Sequence, residues 1–240
     1  MRISTGSTDF DEWLDGGYDA DIITTIYGPA GSGKTNLCLM ATVAQASKGK
    51  KVIFVDTEGG FSLSRLNQLA SHEVMKNILL FKVTNFNEQT ETFSKLLNLL
   101  KKDIGLVVVD SMVMLYRLEI GEANQEKNTS KIYEINEALA KQMRILNEIA
   151  RKKQIPVIIT NQVYSEFLNK EDFESGKEKR VSMVGGDILK YWSKCIIELQ
   201  NIGENRKRAI LKKHRNIPEK YFIFNIFDKG IIKEKKFRFF

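Results

Sequence analysis

The chain has only two cysteines and three prolines in 240 residues, and no apolar run approaches the length that crosses a membrane. Cys38 lies in a stretch of helical character and Cys195 beside an apolar run, so both read as small core residues and not as a disulfide or a metal set. Scarce proline, with no internal repeat and no low-complexity linker, leaves nothing to mark a second domain, and residues 1–240 read as one core. The opening Met1-Arg2-Ile3-Ser4-Thr5 lacks the apolar centre of a secretion signal, which predicts a cytoplasmic protein. In that context the sequon-like Asn128-Thr129-Ser130 carries no meaning. Histidine is equally sparse, and neither His72 nor His214 gives a catalytic signal.

Acidic residues are scarce at one end. The net charge is +7, yet residues 204–240 hold twelve Lys/Arg against four Asp/Glu, so the first 203 residues sum to about −1. This asymmetry points either to an anionic partner such as nucleic acid or to a solvated lysine-rich hairpin.

What is present is a patterned α/β chain. Ile22 to Tyr27 is a β-branched strand, Asn36 to Ser47 suits a helix, and Lys51 to Asp56 is a second strand that leads into a loop at Glu58-Gly59-Gly60-Phe61. A helix at 63–70, a strand at 78–83 and a helix at 87–101 follow, and then the apolar strand Leu106 to Asp110. Residues 121–129 are polar and predict a loop. Lys131 to Lys153 carries Ile132, Ile135, Leu139, Met143, Leu146 and Ile149 at helical spacing. Pro156 to Thr160 predicts a buried strand ending at Asn161-Gln162, and residues 169–180, eight of twelve charged, predict a loop. From Tyr191 onward the pattern is of strands at 195–199, 208–212, 221–227 and 231–233, with a turn at Asp228-Lys229-Gly230. Strands alternating with helices and then a β-meander predict a mostly parallel, doubly wound sheet with helices on both faces, extended by antiparallel C-terminal strands.

Gly28-Pro29-Ala30-Gly31-Ser32-Gly33-Lys34-Thr35 has the spacing of a phosphate-binding P-loop, with a strand before it and a helix after it beginning at Asn36. Its glycines let backbone N–H groups turn toward phosphate oxygens at a helix N-terminus. Lys34 would reach the β- and γ-phosphates, and Thr35 would ligate magnesium. Three polar residues sit at predicted strand ends, where ligands of such sheets bind. Asp110 suits the magnesium-holding carboxylate, and it also suits a helix cap. Glu58 suits a base that orients or deprotonates water, or a plain surface carboxylate. Gln162 has an amide able to bond both a γ-phosphate and water, although glutamine at a strand end is also unremarkable.

Taken in order, GPAGSGKT, VDTEGGF, LVVVDS and ITNQV resemble the RecA-type recombinases, over nearly the whole chain. The resemblance implies a RecA-type P-loop ATPase core that uses ATP and magnesium. In it Lys34 and Glu58 are catalytic with Gln162, which couples nucleotide state to the DNA loops, and Asp110 binds the metal. It places Gly185-Gly186 at the close of the second DNA loop and Phe224 to Ile231 in the final hairpin. The chain opens at the core, without the front DNA-binding domain and docking segment of RadA-type recombinases, which argues against long RadA-like filaments and leaves the oligomeric state open, a weak homo-oligomer included. Gly121-Glu122-Ala123-Asn124-Gln125 stands where the family carries arginines, which weakens phosphate attraction in the first DNA loop.

These departures imply an ATP-binding repair and recombination accessory that binds DNA, preferably single-stranded but also double-stranded, beside a RadA-type recombinase, with weak DNA-dependent ATP hydrolysis at most. A KaiC-like signalling ATPase without DNA is the alternative. Lys177, Lys179 and Arg180, with Lys212, Lys213 and Arg215, are candidates to contact DNA or a neighbouring subunit's phosphates. Lys213 and Arg215 have the spacing of residues that share one strand face.

Overall fold

A computed structural model of the chain describes residues 1–165, 181–203 and 205–234. Strands β3 (Ile23–Gly28), β4 (Lys51–Asp56), β5 (Ile78–Lys82), β6 (Ile104–Asp110), β7 (Val157–Ser165) and β9 (Ser193–Asn201) form the parallel part of a ten-stranded sheet. Its order is β12-β11-β10-β9-β3-β7-β6-β4-β5, with β8 (Val181–Met183) paired antiparallel to β7. Strands β10 (Arg206–Lys213), β11 (Tyr221–Phe227) and β12 (Gly230–Lys233) extend one edge as an antiparallel meander. A separate two-stranded ribbon joins β1 (Arg2–Ile3) to β2 (Tyr18–Asp19), flanking helix α1 (Thr8–Trp13).

Successive strand residues point to opposite faces, and each face has its own core. Val52, Phe54, Leu106 and Val108 pack with α2 (Lys34–Ala46) and α1, through Leu37, Phe10 and their neighbours. Ile53, Val55, Val107 and Val109 pack on the other face with α5 (Phe86–Leu99), α6 (Met114–Gln125) and α7 (Thr129–Lys153). Short helices α3 (Leu63–Leu69) and α4 (His72–Met75) lie between β4 and β5, and α8 (Gly186–Trp192) precedes β9. Both cysteines are buried and free. Among the described residues no helix is long and apolar enough to cross a membrane.

Three elements depart from the sequence pattern. Residues 121–125 are the last turn of α6, not a loop, because Leu115, Tyr116 and Ala123 bury one side of that helix against the second core. The connection shrinks to a few residues, and the Asn128 side chain caps α7 by accepting from Lys131 N at 3.0 Å. Strand β7 runs past Thr160 because Asn161 and Gln162 continue the parallel pairing with β3 and Val163 to Ser165 then pair with β8, so Asn161 and Gln162 lie within the strand. Residues 186–192 form helix α8, whose buried Leu189 packs in the second core.

Candidate functional site

The loop after β3 is shaped by close backbone packing. A side chain at Gly28 would meet the carbonyl oxygen of Leu199 at 2.3 Å, so only glycine lets β3 end against β9. Gly33 takes the left-handed conformation (φ 100°) as the N-cap of α2, which directs the first N–H groups of that helix into the loop. The Lys34 ammonium is buried and donates to the carbonyls of Gly28 and Pro29 at 2.9 and 3.0 Å. Burial lowers its pKa, and the charges of Glu58 and Asp110 oppose that shift.

Strand ends β4 and β6 meet beside it. Thr57 N donates to Asp110 O at 2.9 Å, the Thr57 hydroxyl to Ser111 O at 2.7 Å, and Ser111 N to the Thr57 hydroxyl at 2.8 Å. Asp56, buried, accepts from Gly60 N and Phe61 N at 3.1 Å each, so its carboxylate folds the turn that carries Glu58. Asp56 and Thr57 were not singled out in the sequence, although a buried acid before Thr-Glu-Gly is the signal that would have found them.

Two carboxylates are left with free oxygens. Asp110 Oδ1 accepts from the Thr160 hydroxyl at 2.5 Å, while its Oδ2 is buried and unpartnered among the described residues. Glu58 is half-buried, and its Oε1 is likewise unpartnered. Burial pushes both carboxyls up, and for Glu58 the charge of Asp110 adds to the effect. A methyl group at Gly60 would lie 3.4 Å from the Thr35 hydroxyl and 3.8 Å from Asp110 Oδ2, so these two oxygens face one small space. One hydroxyl, one orphaned carboxylate oxygen and room for phosphate oxygens fit magnesium, a hard cation that keeps few protein ligands at phosphate sites.

The loop, Asn36, Glu58 and Gln162 line a cavity of about 270 Å³. Gln162 lies opposite Gly28 in the β3–β7 register, and Thr160, two residues earlier on β7, reaches Asp110. Between them the Asn161 amide donates to Val184 O at 2.8 Å, tying this strand to the segment before Gly185-Gly186. The cavity's outer wall is Ile226 of β11. Arg65 of α3 fixes that wall: it donates to Asn36 Oδ1 at 2.7 Å and to the carbonyls of Phe227 and Asp228 at 2.7 Å each. Neither Ile226 nor the role of Arg65 carries a local sequence signal, because their partners lie far along the chain.

The Rad51 family matches residues 1–234. This chain belongs to the Rad51 family. It is 41% identical over 239 residues to "DNA repair and recombination protein RadB" of Methanobrevibacter smithii, covering 96% of this chain and 95% of that protein. It is 38% identical over 223 residues to the protein of the same name from Methanocaldococcus jannaschii, covering 92% and 97%. A solved structure described as "Crystal structure of the RadB recombinase" superimposes with a TM-score of 0.75 at 34% identity, covering 95% of this chain and 98% of that one. The mixed sheet described above is therefore the Rad51/RecA-type fold.

In this Rad51-family chain the candidate basic residues are distributed unevenly. Lys177, Lys179 and Arg180 lie outside the described residues. Lys212 pairs with Glu219 at 2.9 Å, and Arg215 pairs with Asp21 at 2.5 and 2.6 Å and approaches Asp19 at 3.4 Å. The expected shared face of Lys213 and Arg215 is not formed. The register shifts between Leu211 and Lys213, β10 ends at Lys213, and Arg215 leaves the strand toward the β2–β3 turn.

Proposed function

We propose that this chain binds ATP with magnesium at the P-loop cavity and serves as a repair and recombination accessory. In this role it binds DNA, preferably single-stranded, beside a RadA-type recombinase. The observation that carries the nucleotide reading is that Lys34, Thr35 and Glu58 line one small cavity, with the free oxygen of Asp110 facing the Thr35 hydroxyl just behind it. Thr35 and Asp110 would hold magnesium, which when bound supplies positive charge beside the phosphates. Lys34 exchanges the carbonyls of Gly28 and Pro29 for phosphate oxygens, and the N–H groups from Gly31 to Asn36 face the same anion. Glu58 Oε1, free of protein partners, is placed to accept a bond from water and draw off its proton. Gln162 meets the cavity from the strand whose next residue inward, Asn161, bonds Val184, so nucleotide state has a mechanical route to the loop that closes at Gly185. DNA-dependent hydrolysis is weak at most. The DNA reading is supported by the RadB names of the relatives and favours recombination over a signalling ATPase.

Titration with a fluorescent ATP analogue, with and without magnesium, tests the site. Binding should require the metal, and Lys34→Ala should abolish it; binding retained by that variant overturns the assignment. Titration of single-stranded DNA across a salt series tests the second half. Affinity should fall steeply with salt, and absent or salt-independent binding overturns the DNA reading.

A further inference from the structure

The basic C-terminal region discharges much of its charge internally. Besides Lys212 and Arg215, Arg206 pairs with Glu234 and Lys220 with Asp15. Three nearby lysines have no such partner: Lys190 in α8, Lys194 near the start of β9 and Lys213 at the end of β10. Among the described residues none of the three forms an ion pair, Asp187 on the first turn of α8 included. They share one end of α8: Lys190 lies on its last turn, Lys194 sits over the ring of Tyr191, and Lys213 reaches the backbone of Lys190. Tyr191 is 70% exposed and meets Trp192 edge-on, with centroids 5.3 Å apart. Lys194 Nζ lies 5.7 Å from the Tyr191 ring centre and donates to Tyr191 O at 3.2 Å. Lys213 Nζ donates to Lys190 O at 2.7 Å, which brings the third ammonium to the same helix end.

This arrangement disfavours itself. Partial burial and the charge of Lys194 both lower the pKa of Lys213, which is the mark of cations crowded without a counter-ion. A large exposed aromatic amid uncompensated lysines is what a flexible anion with flat groups between its charges would engage. A free phosphate would use the lysines and leave the ring idle, and a duplex would offer no exposed base face. Ser193 pairs with Ile23 at the start of β3, while the P-loop follows its other end at Gly28, about 17 Å away at 3.3–3.4 Å per residue. The patch is therefore separate from the nucleotide cavity.

We propose that Lys190, Tyr191, Lys194 and Lys213 form a contact for single-stranded DNA, with Tyr191 stacking on a base and the lysines neutralising flanking phosphates. This rests on the DNA-binding reading above and gives it a surface.

An oligo(dT) titration followed at once by anisotropy of labelled DNA and by tryptophan emission tests it. The other tryptophan, Trp13, is buried against Phe10, so quenching that disappears in Trp192→Phe reports on the patch. Tyr191→Ala should weaken binding about tenfold, and Tyr191→Phe should not. Lys194→Ala with Lys213→Ala should reduce the salt slope by about 1.4, at roughly 0.7 per phosphate contact. All variants should bind the ATP analogue as the parent does, which shows that they fold. If the parent binds DNA while the variants match it and Trp192 stays silent, the patch is wrong and the DNA reading stands. If the parent shows no anisotropy change, the DNA reading itself fails. Quenching that follows protein concentration without DNA makes this a self-contact and overturns the proposal.

Discussion

Asp110 and Glu58 are held where their charge is disfavoured, and that tension has measurable consequences at the level of single residues. A carboxyl raised above its unfolded pKa favours the folded state below the ordinary carboxylate range, near 4, and this contribution is lost as pH rises through the raised value. At neutral pH both groups therefore work against the nucleotide-free fold. Asp110→Asn should stabilise the free protein on the order of 1 kcal/mol, or about 2–4 °C in Tm for a chain of this size, while weakening magnesium-dependent nucleotide binding. Differential scanning calorimetry with and without the nucleotide would show the two effects moving in opposite directions. Glu58→Gln should keep nucleotide affinity and lower turnover by about 10²-fold or more. In the parent, turnover should decline on acidification at a pH above the unperturbed glutamate value, because burial and Asp110 raise the Glu58 carboxyl. A pH profile of DNA-stimulated hydrolysis checks both statements, and unchanged turnover in Glu58→Gln would remove that residue from the chemistry.

Between elements, Arg65 joins α2, α3 and the β11–β12 turn through a planar fork with fixed donor directions. Arg65→Ala should loosen the hairpin that carries Ile226 and weaken ATP affinity about tenfold, through the loss of hydrogen bonds from a charged donor. Arg65→Lys should not restore it, because one ammonium cannot serve three acceptors in the same plane. Faster amide hydrogen exchange in β11 and β12 would report the loosening directly. Arg65 also shows where sequence reading stops. The P-loop and the apolar run ending at Asp110 were legible because each is a contiguous string, and the structure brings Lys34, Thr35, Glu58 and Gln162 around one cavity with Asp110 beside Thr35. The clasp was not legible, since Arg65 meets partners 29 and 162 residues away. Helix α6 was hidden for a different reason: Ala123 is small, Gly121 suggests a break, and Glu122 with the polar Asn124 and Gln125 reads as solvent-exposed loop. The β10 bulge, which separates Lys213 from Arg215, depends on how β9 and β10 register and has no local mark.

Over the whole molecule, positive charge is abundant but only partly free. If the three lysines at the end of α8 carry the DNA contact, the slope of log affinity against log salt is about −2, far below what the twelve basic residues of the C-terminal segment would suggest. The ion pairs that absorb the rest join distant parts of the chain. Arg215 beside Asp21 holds that carboxyl below its usual range, so the pair contributes stability above the unfolded aspartate pKa and loses it as the pH falls further. Asp21→Asn should therefore lower denaturation midpoints at pH 7 and have little effect near pH 2. Urea titrations at the two pH values measure the difference. The sheet order has one more consequence, and it concerns time. The P-loop leaves the ribosome early, but its backing strand β9 and the wall at Ile226 belong to the last quarter of the chain. A nascent chain stalled before residue 193 would carry every proposed phosphate-binding group and still lack a closed pocket, so the proposed nucleotide capture would wait for completed synthesis.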